Sequence, residues 1–469
     1  MASTQGTTPA EPRRRTVGRT TVTLLILLGV MIGLRALMGG VDWPSGEPRG
    51  TTVAVGFLLL AAFIGGRLSA ELGAPRITGY IVIGALVGPS LLGLVTDGDL
   101  SQLELINDIA ISLIALAAGG ELKLSELRRR GRSMLGIMGF EMVAVFVVVA
   151  GAVVLLSPVL PFTAGREFAA IATIALIFGS IAIANSPSVA IAVITDTRSR
   201  GPVSSTILGV TVMKDVAVIL SFAVALSIAR SVLSPEGGFE TDFFLSLAWE
   251  IGGSILLGAV SGWIVSLYLQ KVRAGTVLFV LAMAFLNAEI AAILHLEVLI
   301  LSMTAGFFIE NISPAHGEPF VEALEANALP VYALFFALAG AGIHLAELAE
   351  LWPIAVGFVL ARAAAVFGGT WLGSRVTGAE PEVRRYAWLG FISQAGVTLG
   401  MVIIAARAFP EWGAELQTLF VSMVAIHELV GPILLQYGLD RAGELGRRDA
   451  PPAPVVVEAE SGDAPASAR

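Results

Sequence analysis

The sequence predicts an all-α, polytopic membrane protein of about fourteen transmembrane helices. Three observations carry that reading. Of 469 residues, 55% are hydrophobic and 14% charged, against roughly 25% charged in soluble domains. Apolar runs of about 20 residues, the length of helix that crosses a bilayer, recur from residue 20 to residue 440. The loops between them are alternately rich and poor in Lys and Arg.

The first run, TVTLLILLGVMIGLRALMGG, follows Arg13–Arg15. It is long and lacks a small-residue cleavage site, so it reads as a retained span and not as a signal peptide. Hydropathy and loop breaks then place spans at 20–40, 51–71, 76–95, 105–121, 133–157, 168–195 and 202–231. Further spans fall at 243–269, 275–294, 296–312, 328–345, 351–374, 384–408 and 414–438. One set of loops holds Arg76, Lys123, Arg128–Arg130, Arg198, Arg200, Lys271, Arg384 and Arg385. The opposite set holds little basic beyond Arg49, Arg166 and Arg230, beside Asp97, Asp99, Glu236, Glu240, Glu347 and Glu350. Cytoplasmic loops favour Lys and Arg, so residues 1–19 and 441–469 are both expected on the cytoplasmic side of the cell membrane.

Residues 20–440 thus form one transmembrane domain, and 441–469, rich in Pro, Ala and acids, read as a disordered tail. The net charge of −8 resides mostly in loops and tail and does not suggest nucleic acid. No cysteine is present, which excludes disulfides, thiol catalysis and cysteine-ligated metals. No G-x-G-x-x-G fingerprint follows the last span. His295, His344 and His427 are dispersed, and HEL at 427–429 lacks the second histidine of a metalloprotease motif, so no enzyme is expected.

Charge inside the spans is the informative exception, because it is costly there and by default marks ion pathways or pairs. LGVTVMKDVAVIL at 208–220 carries Lys214 and Asp215, about thirteen residues into a span and near its midplane. Neighbouring helix positions diverge in direction, so each charge is expected to have its own partner. Upstream, SIAIANSPSVAIAVI interrupts an apolar span with Asn185, Ser186, Pro187 and Ser188. Proline lacks an N–H and breaks regular helix. Broken helix at membrane depth is tolerated where it lines a cavity, and its exposed carbonyls can then coordinate ions.

A second interruption, GFISQAGVTLGMVI, contains Ser393, Gln394, Gly396 and Thr398, and the next span carries His427 and Glu428. The order repeats the first: a broken span, then a span with a base followed by an acid. Segments 133–231 and 351–438 therefore read as an inverted repeat of three spans each, with the site at their interface. Their leading spans carry Glu141 and Arg362. A buried Arg needs a carboxylate or half-helix carbonyl ends, which makes Arg362 a counter-charge for Asp215, Glu141 or Glu428. Glu250 and Glu289 lie outside this core and are not assigned to the site.

PRITGYIVIGALVGPSLLG at 75–93, ALAAGGELKLSELRR at 115–129, NSPSVAIAVI at 185–194, VTVMKDVAVIL, YALFFALAGAGIHL at 332–345 and SQAGVTLGMVI at 393–403 together resemble the monovalent cation–proton antiporter superfamily, nearest its bacterial sodium/potassium–proton branch. The resemblance spans nearly all of 51–440. It implies the sodium–proton antiporter fold with two crossed broken helices, a homodimer in the lipid of a bacterial inner membrane, a scaffold bundle, and a core that moves like an elevator. It implies that Asp215 alternately holds a cation and a proton, that Arg362 is the basic residue salt-bridged within the core, and that Asn185–Ser188 and Ser393–Thr398 form the crossing. The residue before the key aspartate is Asp or Asn in most relatives and Lys214 here, a departure from the pattern.

Lys214 then has three readings: it neutralises half-helix carbonyls, it carries protons, or it fills the cation site as a tethered ammonium. The function expected is exchange of Na+ or K+ for protons without cofactor. Hydroxyls of Ser186, Ser188, Ser393 and Thr398 would complete the oxygen shell. The alternatives are a non-transporting sensor-like homologue with Lys214 in the cation site, and a sodium-coupled solute carrier.

Overall fold

The computed structural model describes residues 13–38, 49–233, 241–272, 276–313, 318–343 and 345–447. All regular structure among them is helical: α1 (Arg13–Met38), α2 (Arg49–Leu72), α3 (Arg76–Val87), α4 (Asp97–Gln102), α5 (Glu104–Glu121), α6 (Leu124–Leu155), α7 (Phe168–Ala182), α8 (Pro187–Asp196) and α9 (Pro202–Leu233). There follow α10 (Thr241–Lys271), α11 (Thr276–Leu294), α12 (Val298–Asn311), α13 (Glu318–Ala341), α14 (Leu345–Thr377), α15 (Pro381–Tyr386), a 3-10 turn (Ala387–Phe391), α16 (Gly396–Ala408) and α17 (Gly413–Arg441). A helix satisfies its own backbone, which is what a lipid solvent demands.

Among the described residues eight helices are long and apolar enough to cross a membrane, or nine if the 381–391 and 396–408 pair, bent by 49°, is one span. Five shorter apolar helices accompany them. Many large apolar side chains face outward, Leu25, Val147, Trp249, Leu278 and Leu360 among them, as expected where the surrounding solvent is lipid.

Two sets of helices pack internally. In one, α6 lies along α14, and α7, α9, α16 and α17 close around them. Phe178 of α7 anchors this set, its ring 4.9 Å from that of Phe358 on α14 and 4.3 Å from that of Phe420 on α17. In the other set α5 runs along α12, α10 along α12, and α3 along α13 and α2. Small residues allow this closeness: a Cβ on Gly119 would collide with the Met303 carbonyl, and one on Gly306 with that of Leu116.

Two interruptions set the site. Between α7 and α8 the chain leaves the helix at 183–186. Ser186 is the N-cap of α8, accepting from Val189 N at 3.3 Å, and Pro187 occupies the first helical position, where its missing N–H costs nothing. Pro187 and Ser188 therefore begin a helix and do not lie in the gap. Between the 3-10 turn and α16 the break falls at 392–395, so Gly396 and Thr398 are likewise helical.

The end of the chain differs from expectation. Residues 442–447, read as the start of a disordered tail, pack against α9. Glu444, 1% exposed, accepts from Val203 N at 2.7 Å, Ser204 N at 2.8 Å and Ser204 Oγ at 2.7 Å. A carboxylate there answers the orphan N–H groups and positive dipole end of α9. The rest of the tail, from 448, lies outside the described residues, as do residues 1–12 and His344.

Candidate functional site

Lys214 and Asp215 sit consecutively on α9 and find different surroundings. Lys214 is 0% exposed, and its Nζ lies 2.8 Å from Oε1 and 2.6 Å from Oε2 of Glu141, also 0% exposed, on α6. The ammonium stands 5.8 Å from the centroid of the Phe391 ring. Asp215, about 100° further round the helix, is 5% exposed. Among the described residues its carboxylate makes no ion pair or hydrogen bond.

Arg362, projecting from the middle of α14 and fully buried, reaches both interruptions at once. Its Nε donates to Ala182 O at 2.8 Å and Nη2 to Ala184 O at 2.7 Å, at the end of α7. Nη1 donates to Ile392 O at 2.8 Å and Nη2 to Phe391 O at 3.2 Å, at the end of the 3-10 turn. The guanidinium thus joins two helix C-termini, where unsatisfied carbonyls concentrate partial negative charge. Of the counter-charges open to Arg362 in the sequence, carboxylates or half-helix carbonyls, the geometry selects carbonyls. The neutralisation of half-helix ends first considered for Lys214 is performed by Arg362.

The interruptions also touch one another. Ser186 N donates to Ser393 O at 2.8 Å, and Gln394 Nε2 donates to Ala184 O at 3.2 Å. Asn185 Nδ2 donates to Thr211 Oγ1 at 3.1 Å, one turn before Asp215 on α9. Ser186 and Ser188 hydroxyls share a 3.1 Å hydrogen bond. Asn185 Oδ1, Gln394 Oε1 and Thr398 Oγ1 are buried oxygens without a hydrogen-bond partner among the described residues, and so are acceptors left open. On α17, Gly431 packs so closely on Ser393 Oγ that a Cβ would collide with it. His427 and Glu428, buried four and three residues earlier, share that face, and Glu428 makes no ion pair among the described residues.

The structure therefore gathers Asn185, Ser186, Pro187, Ser188, Ser393, Gln394 and Arg362 around the paired interruptions, with Asn185 tied to α9 through Thr211. Glu141 is taken up by Lys214. Two residues escaped the sequence reading. Thr211 stands in the quoted motif, and its spacing of four from Asp215 was the available signal. Glu297 occupies a short interhelical turn, where an acid reads as solvated; in the fold its charge bears on Asp215.

The family described as sodium/hydrogen exchanger, transmembrane, matches residues 57–437. The Na(+)/H(+)-K(+) antiporter GerN of Bacillus cereus is 25% identical over 398 residues, covering 82% of this chain and 95% of that protein. The probable Na(+)/H(+) antiporter GerT of Bacillus cereus is 25% identical over 364 residues, covering 75% and 88%. Among solved structures, the sodium proton antiporter MjNhaP1 from Methanocaldococcus jannaschii superposes with a TM-score of 0.59 at 17% identity, over 84% of this chain and 96% of that one.

Proposed function

The chain belongs to the sodium/hydrogen exchanger family, and from that premise we propose that it exchanges a monovalent cation, Na+ or K+, for protons by alternating access, with Asp215 as the exchangeable site. The observation that carries the assignment is the contrast on α9: Lys214 is engaged by Glu141, whereas Asp215 is buried with no counter-charge bonded to it among the described residues. A bare carboxylate away from water is costly. A proton removes that cost, and so does a cation, but one carboxylate holds one of them at a time. That exclusivity is antiport. Asn185 Oδ1, Gln394 Oε1 and Thr398 Oγ1 are the unclaimed oxygens suited to a hard monovalent ion.

The Lys214–Glu141 pair argues against a tethered ammonium at the cation site, because Nζ is already held elsewhere. With Lys214 so fixed, Asp215 alone cycles and the exchange is one for one. We read α6–α9 and α14–α17 as the mobile core and the remaining helices as the scaffold of a homodimer. The five shorter apolar helices complete fourteen spans, with both termini on the basic, cytoplasmic side of a bacterial inner membrane.

The test is purified protein in sealed liposomes under an imposed pH gradient, followed with a pH-sensitive dye. Na+ or K+ is expected to collapse the gradient in wild type and not in Asp215→Asn, at a rate indifferent to membrane potential. A wild type silent to every monovalent cation overturns the proposal. A rate that depends on potential, and ceases to in Glu428→Gln, would assign a second cycling charge to Glu428.

A further inference from the structure

We propose that Glu297, in the turn between α11 and α12, is a second carboxylate of the ion pathway, facing Asp215 across the boundary between the two helix sets and sharing the cation or proton with it. This rests on Asp215 being the exchangeable site.

Depth places the two acids together. Pro202 begins α9 beside Arg198 and Arg200, and Asp215 lies thirteen residues on, about 20 Å from that basic face. Asn311 ends α12 at the same face, where its Nδ2 donates to Leu122 O at 2.8 Å and its Oδ1 accepts from Leu124 N. Glu297 is fourteen residues back along α12, about 21 Å from the face. The turn that carries it thus lies at the level of Asp215 and not at the far surface. Among the described residues, Glu297 is an acid whose charge opposes that of Lys214 at Asp215.

The turn is also built to stay where it is. His295 adopts the left-handed conformation, φ 53°, and Leu296 N returns to Ala291 O at 2.8 Å, closing a tight reversal. Helix α10 fastens it: Trp249 Nε1 donates to Leu294 O at 3.0 Å, and Glu297 N donates to Ser254 Oγ at 2.9 Å. Among the described residues the hydrogen bond to the Glu297 carboxylate is a long one, 3.4 Å, from Leu299 N to Oε1. Glu250 of α10 and Asp108 of α5 are the further charges bearing on it, and both are acidic. Glu250 lies 21 residues from Lys271 at the basic end of α10, about 32 Å, farther out than Glu297.

Acids descending from Glu250 to Glu297 and Asp108, and ending on the buried Asp215, draw a cation inward from the less basic face. Two carboxylates facing each other repel, and one cation or proton between them removes the repulsion. A fixed carboxylate on one helix set and an exchangeable one on the other would set how tightly the outward-facing site holds its ion.

The experiment measures the apparent KM for Na+ or K+ and the maximal rate in proteoliposomes for wild type, Glu297→Gln and Glu297→Asp. Glu297→Gln is expected to raise KM on the order of tenfold, the loss of one charged partner, while turnover at saturating cation persists. Glu297→Asp, which keeps the charge, is expected to recover most of the affinity. An active wild type with KM unchanged in Glu297→Gln overturns this inference and leaves Asp215 in place, whereas an inactive wild type overturns both. If Glu297→Gln does not assemble, Glu297→Asn, uncharged and suited to the N-cap position, decides: a wild-type KM there overturns the role.

Discussion

Lys214 and Asp215 are adjacent in the chain and opposite in circumstance, and the difference follows from helical geometry. Because successive side chains diverge, one enters the α6 side and meets Glu141, while the other has no bonded counter-charge among the described residues. Removing one member of a buried pair strands the other, at a cost of about 3–5 kcal/mol, whereas replacing both by apolar residues of similar volume is often neutral. Lys214→Ala is therefore expected to lower the melting temperature in detergent strongly, and Lys214→Met with Glu141→Leu to recover most of it. If Lys214→Ala melts like wild type yet loses transport, the lysine belongs to the exchange chemistry and not to the architecture. That the two charges have separate partners was legible in the sequence; that Glu141 is the partner was not, since 73 residues separate them and only the packing of α6 on α9 brings them together.

At the scale of elements, the breaks are the feature most nearly written in the chain. Pro187 forbids continuation from α7, and Ser393 and Gly396 weaken the helix before α16. What hydropathy could not supply is the device that holds two broken ends side by side. Arg362 does so with four carbonyls from two elements. Its planar fork is essential to that reach. Arg362→Lys keeps the charge but cannot serve both ends, and each carbonyl left unsatisfied costs about 1–3 kcal/mol. The expected result is a lower melting temperature and loss of exchange together; retention of both would mean that the charge alone suffices. Glu444 shows the opposite failure of legibility. A polar residue in an Ala- and Pro-rich segment reads as solvated, yet it caps the helix that carries Asp215.

For the molecule as a whole, contacts between the two helix sets on the basic face bear on how the site would open. Asp196, ending α8, accepts from Arg76 N at 3.1 Å and lies 3.6 Å from Arg76 Nε at the start of α3. Gln436 of α17 donates to Gly73 O at 3.2 Å. These links are polar and partly exposed, so they are individually weak and suited to being broken in each cycle. Alternating access by a moving core requires that they separate. The chain has no cysteine, so a single introduced pair can be bridged without competing thiols. Arg76→Cys with Asp196→Cys, oxidised in proteoliposomes, is expected to arrest exchange, and reductant is expected to restore it. Each single variant should keep most of its rate, since a weak surface pair contributes at most about 1 kcal/mol. Full bridging with undiminished exchange would show that α3 and α8 stay together throughout the cycle, and the motion would then have to be sought within the α6–α9 and α14–α17 set, around the Arg362 junction.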